Sequence, residues 1–216
     1  VVFVRDVVAA EDERIDLQRT HVHALVGVRG LRALGKVLHE RLLRSAELRA
    51  EVLPDLCSGT GGKVGAFALS EPHCGSDAAA LRTKAERDGD DYVINGSKQW
   101  ITNGSYASWV LVMARTGEGT GGISAFLVPG DAPGLIVGPE ERKMGLKGSN
   151  TVPLTLENVR VNQRYRVGDE GIGFRIAMDA LDGGRIGIGS QALGIGRAAL
   201  VEAARWAPSC FNSQPW

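Results

Sequence analysis

Apolar and polar positions alternate in three different rhythms along the chain. From Glu11 to Val52 there is no proline, and Leu31, Leu34, Val37, Leu38, Leu42 and Ala46 recur on one helical face, which predicts helix. Arg29, Arg32, Lys36, Arg41 and Arg44 share that stretch with Glu40, Glu47 and Glu51, so the charges read as a solvated face rather than a nucleic-acid surface. Pro54, Gly59, Gly61 and Gly62 predict the end of the helix and a linker. Between Lys63 and Arg160 the rhythm changes to short runs of β-branched and aromatic residues separated by Gly, Pro, Asn and Asp. Strands are expected at Lys63 to Leu69, Leu81 to Arg87, Tyr92 to Thr102, Trp109 to Ala114, Ile123 to Val128, Leu135 to Val137 and Val152 to Leu156. Asp88-Gly89-Asp90, Asn103-Gly104 and Pro133-Gly134 supply turns. Seven short strands so spaced suggest a sandwich or open barrel, not a doubly wound sheet. Helical spacing returns with Phe174, Ile176, Ala177, Ala180 and Leu181, breaks at Gly183-Gly184, and resumes from Ile186 to Trp206. Gly187, Gly189, Gly194 and Gly196 each weaken that last helix by about 1 kcal/mol relative to Ala, so close packing against a helix or a ligand is expected there. The class is α+β: an N-terminal helical segment and linker (1–62), a β domain (63–168), and the start of a C-terminal helical domain (169–216).

Composition narrows the function classes. With 44% apolar and 23% charged residues in 216, the chain suits a folded core and excludes disorder or collagen. Its 25 Lys and Arg balance its 25 Asp and Glu, so nothing draws it to nucleic acid or an anionic membrane. No apolar run approaches the roughly 18 to 20 residues of a membrane span, and Val1 to Ala10, broken by Arg5 and Asp6, makes a poor signal peptide. Cys57, Cys74 and Cys210 are too few and too scattered for a disulfide framework, which suits a reducing, cytoplasmic setting.

Candidate chemistry lies where strands meet loops. The segment Phe67-Ala-Leu-Ser-Glu-Pro-His-Cys-Gly-Ser-Asp77 leaves a strand carrying two hydroxyls and two carboxylates, which can offer donors to a planar heterocycle or a phosphate. Alone it reads as a turn. In Asn95-Gly-Ser-Lys-Gln-Trp-Ile-Thr-Asn-Gly104, Trp100 can cover a ring while Thr102 binds its edge; alone it reads as a core tryptophan. His73 and Cys74 raise a metal site, but His21, His23, His39 and Cys57 add no recognisable ligand spacing, so no metal is expected. Gly187-Ile-Gly-Ser-Gln-Ala192 and Gly194-Ile-Gly-Arg-Ala-Ala199 fit the dinucleotide fingerprint, but helix rather than strand precedes them, so they read as helix packing.

Taken in order, those two words, then Gly122 to Pro129, Lys143-Met-Gly-Leu-Lys-Gly-Ser149 and Leu181-Asp-Gly-Gly-Arg-Ile-Gly-Ile188, resemble the acyl-CoA dehydrogenase family, most closely its short-chain, butyryl-type members. The resemblance covers about Glu51 to Trp206. It implies the family's middle β domain flanked by helices, with only the beginning of the C-terminal bundle. It also implies an FAD oxidoreductase of fatty-acid β-oxidation that converts a short-chain acyl-CoA to the trans-2-enoyl-CoA and passes electrons to an electron-transfer flavoprotein, assembled as a homotetramer. Matching positions put Phe67, Ala68, Leu69, Ser70, Gly75, Ser76, Trp100, Ile101 and Thr102 around the flavin. Ser76, Asp182, Gly183, Gly184 and Arg185 would meet the substrate, the last four at a helix start suited to anionic CoA.

Proton abstraction next to a thioester needs a carboxylate base. The resemblance puts that glutamate in the C-terminal helical domain beyond Trp216, so no catalytic residue is expected in this chain and activity of the chain alone is not. His73 stands where the family usually has a glycine, which predicts crowding near the cofactor. The end, Glu202-Ala-Ala-Arg-Trp-Ala-Pro-Ser-Cys-Phe-Asn-Ser-Gln-Pro-Trp216, is similar to the FMN-binding segment of nitroreductases, with Ser209, Asn212 and Gln214 matching FMN contacts. A junction near Ala199 to Ala204 is the simplest account of it. Two alternatives remain open at this stage: a fusion with an FMN nitroreductase, and a non-catalytic flavin- or acyl-CoA-binding relic.

Overall fold

Strands buried on both faces read as unbroken apolar runs, and two such runs form the centre of this fold. The computed structural model describes residues 46–57 and 64–206. In chain order these form α1 (Ala46–Cys57), β1 (Val64–Ala68), β2 (Lys84–Asp88), β3 (Asp91–Thr102), β4 (Ala107–Arg115), β5 (Ile123–Pro129), β6 (Leu135–Val137), β7 (Thr151–Asn162), β8 (Arg166–Val167) and α2 (Gly173–Trp206). The strands lie in the order β6-β7-β3-β2-β4-β5-β8, with β1 parallel to β4 on its free side. One residue pair, Lys84 with Arg115, links the β2 half to the β4 half. The two halves face each other across a core of Tyr92, Ile94 and Ile101 from β3, Val152, Leu154 and Leu156 from β7, and Val110, Val112 and Phe126 from β4 and β5. The opposite side of β4 and β5 carries Trp109, Leu111, Met113, Ala125 and Leu127, and is covered by Leu48 and Val52 of α1 and Ile176, Ala177 and Ala180 of α2. This is the expected sandwich-like α+β arrangement, and it is not a closed barrel.

Four expectations need correction. Helix continues past Pro54 to Cys57, because a proline one turn from a helix end forfeits a single backbone bond. The predicted helix before Ala46, and Gly59, Gly61 and Gly62, lie outside the described residues. Strand β7 runs six residues beyond the predicted Val152 to Leu156, through Glu157 and Asn158, whose exposed polar side chains interrupt the pattern. There Asn158 adopts a left-handed backbone, and Asn95 accepts its N–H at 2.8 Å in a bulge between β3 and β7. Residues Leu81 to Thr83 are not strand; Arg115 gathers the carbonyls of Leu81 and Ala79 at 3.1 and 2.7 Å, while its own N–H donates to that of Thr83 at 2.7 Å. The strand pair β8 went unpredicted because two residues carry no periodicity.

The largest correction is α2, one continuous helix of 34 residues through Gly183 and Gly184. Glycine lowers helix stability but keeps its N–H, so propagation from a packed first half carries through it. Of the glycines expected to pack closely, Gly189, Gly194 and Gly196 have open space where a Cβ would stand, so that packing is absent at these three among the described residues. No helix among those residues is long and apolar enough to cross a membrane.

Candidate functional site

Two segments that are 30 residues apart in sequence are held side by side at the mouth of the sandwich. The first leaves β1 at Leu69 and Ser70 and turns back through Glu71 and Cys74, which exchange backbone hydrogen bonds of 2.9 and 3.1 Å. The second is a bulge in β3, where Gln99 and Trp100 stand opposite Pro153 alone. The Pro153 carbonyl faces away from β3 and accepts from the Gly138 N–H at 2.9 Å, so Pro153 holds β3 by no backbone bond there. The Gln99 N–H donates instead to the Ser70 carbonyl at 2.9 Å, joining the two segments. In the bulge Trp100 takes a left-handed backbone (φ 57°) and leaves its indole 59% exposed. A bulky residue in that conformation is strained and common at binding surfaces.

Below this surface lies a charged cluster that sequence reasoning missed. The Lys98 ammonium, fully buried, donates to the Leu69 carbonyl at 3.1 Å and to Glu71 Oε1 at 2.8 Å. Glu71 Oε1 also accepts from the Thr83 hydroxyl at 2.6 Å and its N–H at 3.0 Å, and Oε2 accepts from the Arg82 N–H at 2.7 Å. Gly96 makes the cluster possible: a Cβ there would stand 2.5 Å from the Thr83 hydroxyl. Burial pushes the Glu71 carboxyl up, but the Lys98 charge and the hydrogen bonds from Lys98, Thr83 and Arg82 outweigh it and hold the group below its ordinary value. Burial pulls Lys98 down, opposed by Glu71. The signal was present in the pattern, since Lys98 continues the inward positions of Tyr92 and Ile94.

The cluster also brings Glu71 beside His73 and Cys74, with ligand atoms all within 4.8 Å. Glu71 is already neutralised by Lys98 and engaged by four donors in all, so the trio is a satisfied ion-pair cluster rather than a ligand set. Cys74 is a buried free thiol whose pKa burial raises, followed by the Glu71 charge. His73 turns back over its own loop, Nε2 3.2 Å from the Ala80 carbonyl and 3.6 Å from Glu71.

Of the residues assigned to the flavin, Ser70 is half-buried and Gly75, Ser76, Trp100 and Thr102 are exposed, while Ala68 and Ile101 turn their side chains into the inter-sheet core and offer only backbone. Phe67 and Leu69 pack with the cluster under α1 and α2. The substrate set lies elsewhere: Asp182 and Arg185 pair at 3.1 Å on the exposed middle of α2. No helix begins at Asp182, so the expected helix-start field is not there. Ser209, Asn212 and Gln214 lie outside the described residues.

A sandwich of this topology, with a strained exposed indole and hydroxyls at its mouth, defines a ligand-binding β domain of an α+β enzyme. Residues 66–159 match the model of the acyl-CoA dehydrogenase middle domain. The β domain is therefore an acyl-CoA dehydrogenase middle domain. The human short-chain specific acyl-CoA dehydrogenase of mitochondria is 51% identical over 150 residues, which are 68% of this chain and 36% of that protein. The butyryl-CoA dehydrogenase of Megasphaera elsdenii superposes with a TM-score of 0.76 at 39% identity, over 86% of this chain and 48% of that one. A glutaryl-CoA dehydrogenase of Mycobacterium smegmatis, solved in complex with FADH2, gives a TM-score of 0.72 at 35% identity, over 86% and 46%. The chain spans about half the length of the curated relatives it first matches.

Proposed function

We propose that this chain forms the flavin-facing part of an FAD-dependent acyl-CoA dehydrogenase acting on short-chain acyl-CoA thioesters, with an electron-transfer flavoprotein as acceptor and a homotetramer as the working assembly. The carrying observation is the pairing of the Leu69–Ser70 segment with the Trp100 bulge through the Gln99–Ser70 hydrogen bond. The donor set fits a flavin. A flat heterocycle with polar edges needs an apolar cover and hydroxyl or N–H donors, and Trp100, Ser70 and Thr102 present these on one edge of the sandwich. When bound, FAD supplies the two-electron acceptor for oxidation of the Cα–Cβ bond.

The chain's own residues would orient and shield. The Trp100 indole excludes water from one face, Ser70 and Thr102 donate to the polar edge, and Ser76 lies exposed where a CoA chain could run. Arg185, exposed on α2 and paired to Asp182, would supply a cation for CoA phosphate. The short-chain reading rests on the similarity to butyryl-type relatives.

The test is flavin titration of the purified chain, followed by intrinsic flavin fluorescence. FAD is expected to bind about tenfold or more tightly than FMN. Equal binding of the two, or none, sinks the reading. With FAD bound, butyryl-CoA should perturb the flavin absorption at a lower concentration than octanoyl-CoA does.

A further inference from the structure

On the reading that the 69–76 and 99–102 segments face FAD, we propose that Lys98 and Glu71 are its positioning pair: they never touch the cofactor, but aim the backbone that does. Three separate pieces of chain converge on the Glu71 carboxylate: its own loop, the 82–83 segment, and β3 through Lys98. The pair is 0% and 2% exposed, so it is sealed from solvent on all sides. A sealed ion pair contributes little net stability over apolar side chains of equal volume, because desolvating both charges offsets their attraction. Its consequence is geometric instead.

That geometry can be followed atom by atom. Lys98 draws the Leu69 carbonyl inward. Every described peptide is trans, so the Ser70 N–H, in the same peptide plane, points the opposite way, out of the cluster. The next carbonyl, that of Ser70, is taken by the Gln99 N–H, which sets the depth of the Trp100 bulge against the loop. Lys98 therefore orients a donor on one segment and is the immediate neighbour of the residue that ties the other. Thr83 completes the clamp from β2's approach, reaching Glu71 through the space that Gly96 leaves open. Remove the ammonium, and the Leu69–Ser70 peptide loses the contact that fixes its plane.

The experiment uses the full chain with two variants, Lys98→Met and the charge-balanced double variant Glu71→Gln with Lys98→Met. The single variant strands a buried carboxylate and can lose stability for that reason alone. The double variant removes that penalty, so its thermal midpoint should return close to that of the parent chain. Its FAD affinity should nonetheless stay about tenfold or more below the parent, and at saturating FAD the visible circular dichroism of the bound flavin should change band shape. Amide hydrogen exchange without FAD supplies a second, independent readout. The Gln99 and Glu71 amides should exchange faster in the double variant, while Val112 in β4 stays as protected as in the parent. A double variant that binds FAD within about threefold of the parent, with Gln99 exchange unchanged, overturns the proposal. Should the parent itself bind no FAD, the flavin reading falls and exchange alone decides. A selective rise at Gln99 then upholds the clamp between the two segments, and a uniform rise that includes Val112 overturns it.

Discussion

Trp100 owes its conformation to the register of two strands. Gln99 and Trp100 of β3 stand opposite Pro153 alone, and in that bulge Trp100 takes the left-handed backbone that a large side chain ordinarily avoids. Its identity as a candidate ring cover was legible in the sequence; its strain was not, because nothing local marks Pro153 as its partner. Replacing Trp100 with glycine should relieve the backbone and change the flavin-free stability by no more than about 1 kcal/mol, since relief and added chain entropy oppose each other. The same variant should weaken FAD binding about tenfold. Urea unfolding and flavin titration together check this, and a large loss of stability would mean the indole serves packing instead.

Helix α2 divides into a half that the sheet holds and a half that it does not. Ile176, Ala177 and Ala180 lie in the core, whereas Ile186, Leu193 and Leu200 are 76, 76 and 71% exposed. Periodicity located this helix, but the glycine pair at 183 and 184 suggested a break that the continuous backbone lacks. The glycines of the two halves should answer mutation oppositely. Gly173 starts the helix against β5, where a Cβ would stand 2.5 Å from the Ser124 carbonyl carbon, so Gly173→Ala should cost about 1–3 kcal/mol. Gly189 has open space around it, and Gly189→Ala should stabilise the chain by up to about 1 kcal/mol and deepen its helical ellipticity. Thermal melts of the two variants followed by far-ultraviolet circular dichroism compare them directly.

The molecule as a whole is two sheet halves joined at one residue pair, so clusters that cross segments carry its cohesion. Glu71 gives that cohesion a pH dependence. Its folded carboxyl titrates below 4.5, the ordinary value it regains on unfolding, so the unfolded chain binds the proton more readily. Its contribution is therefore complete above that value and is lost as pH falls through the lowered folded one. Urea midpoints measured from about pH 7 down to about pH 3 should fall more steeply for the parent chain than for the variant carrying Glu71→Gln with Lys98→Met. Parallel curves would show that the pair adds nothing to acid stability. The sequence by itself determined the strand-rich middle, its flanking helices, the family resemblance and the two words proposed to face the flavin, because alternation, turns and short motifs are local. Only the tertiary structure decided that β4 and β5 are buried on both faces, that α2 runs unbroken, and that Lys98 and Glu71 meet under the loop. Those outcomes depend on which distant segments remove a group from water and which distant carbonyls and carboxylates a buried ammonium meets, and neither is written in any one stretch of chain.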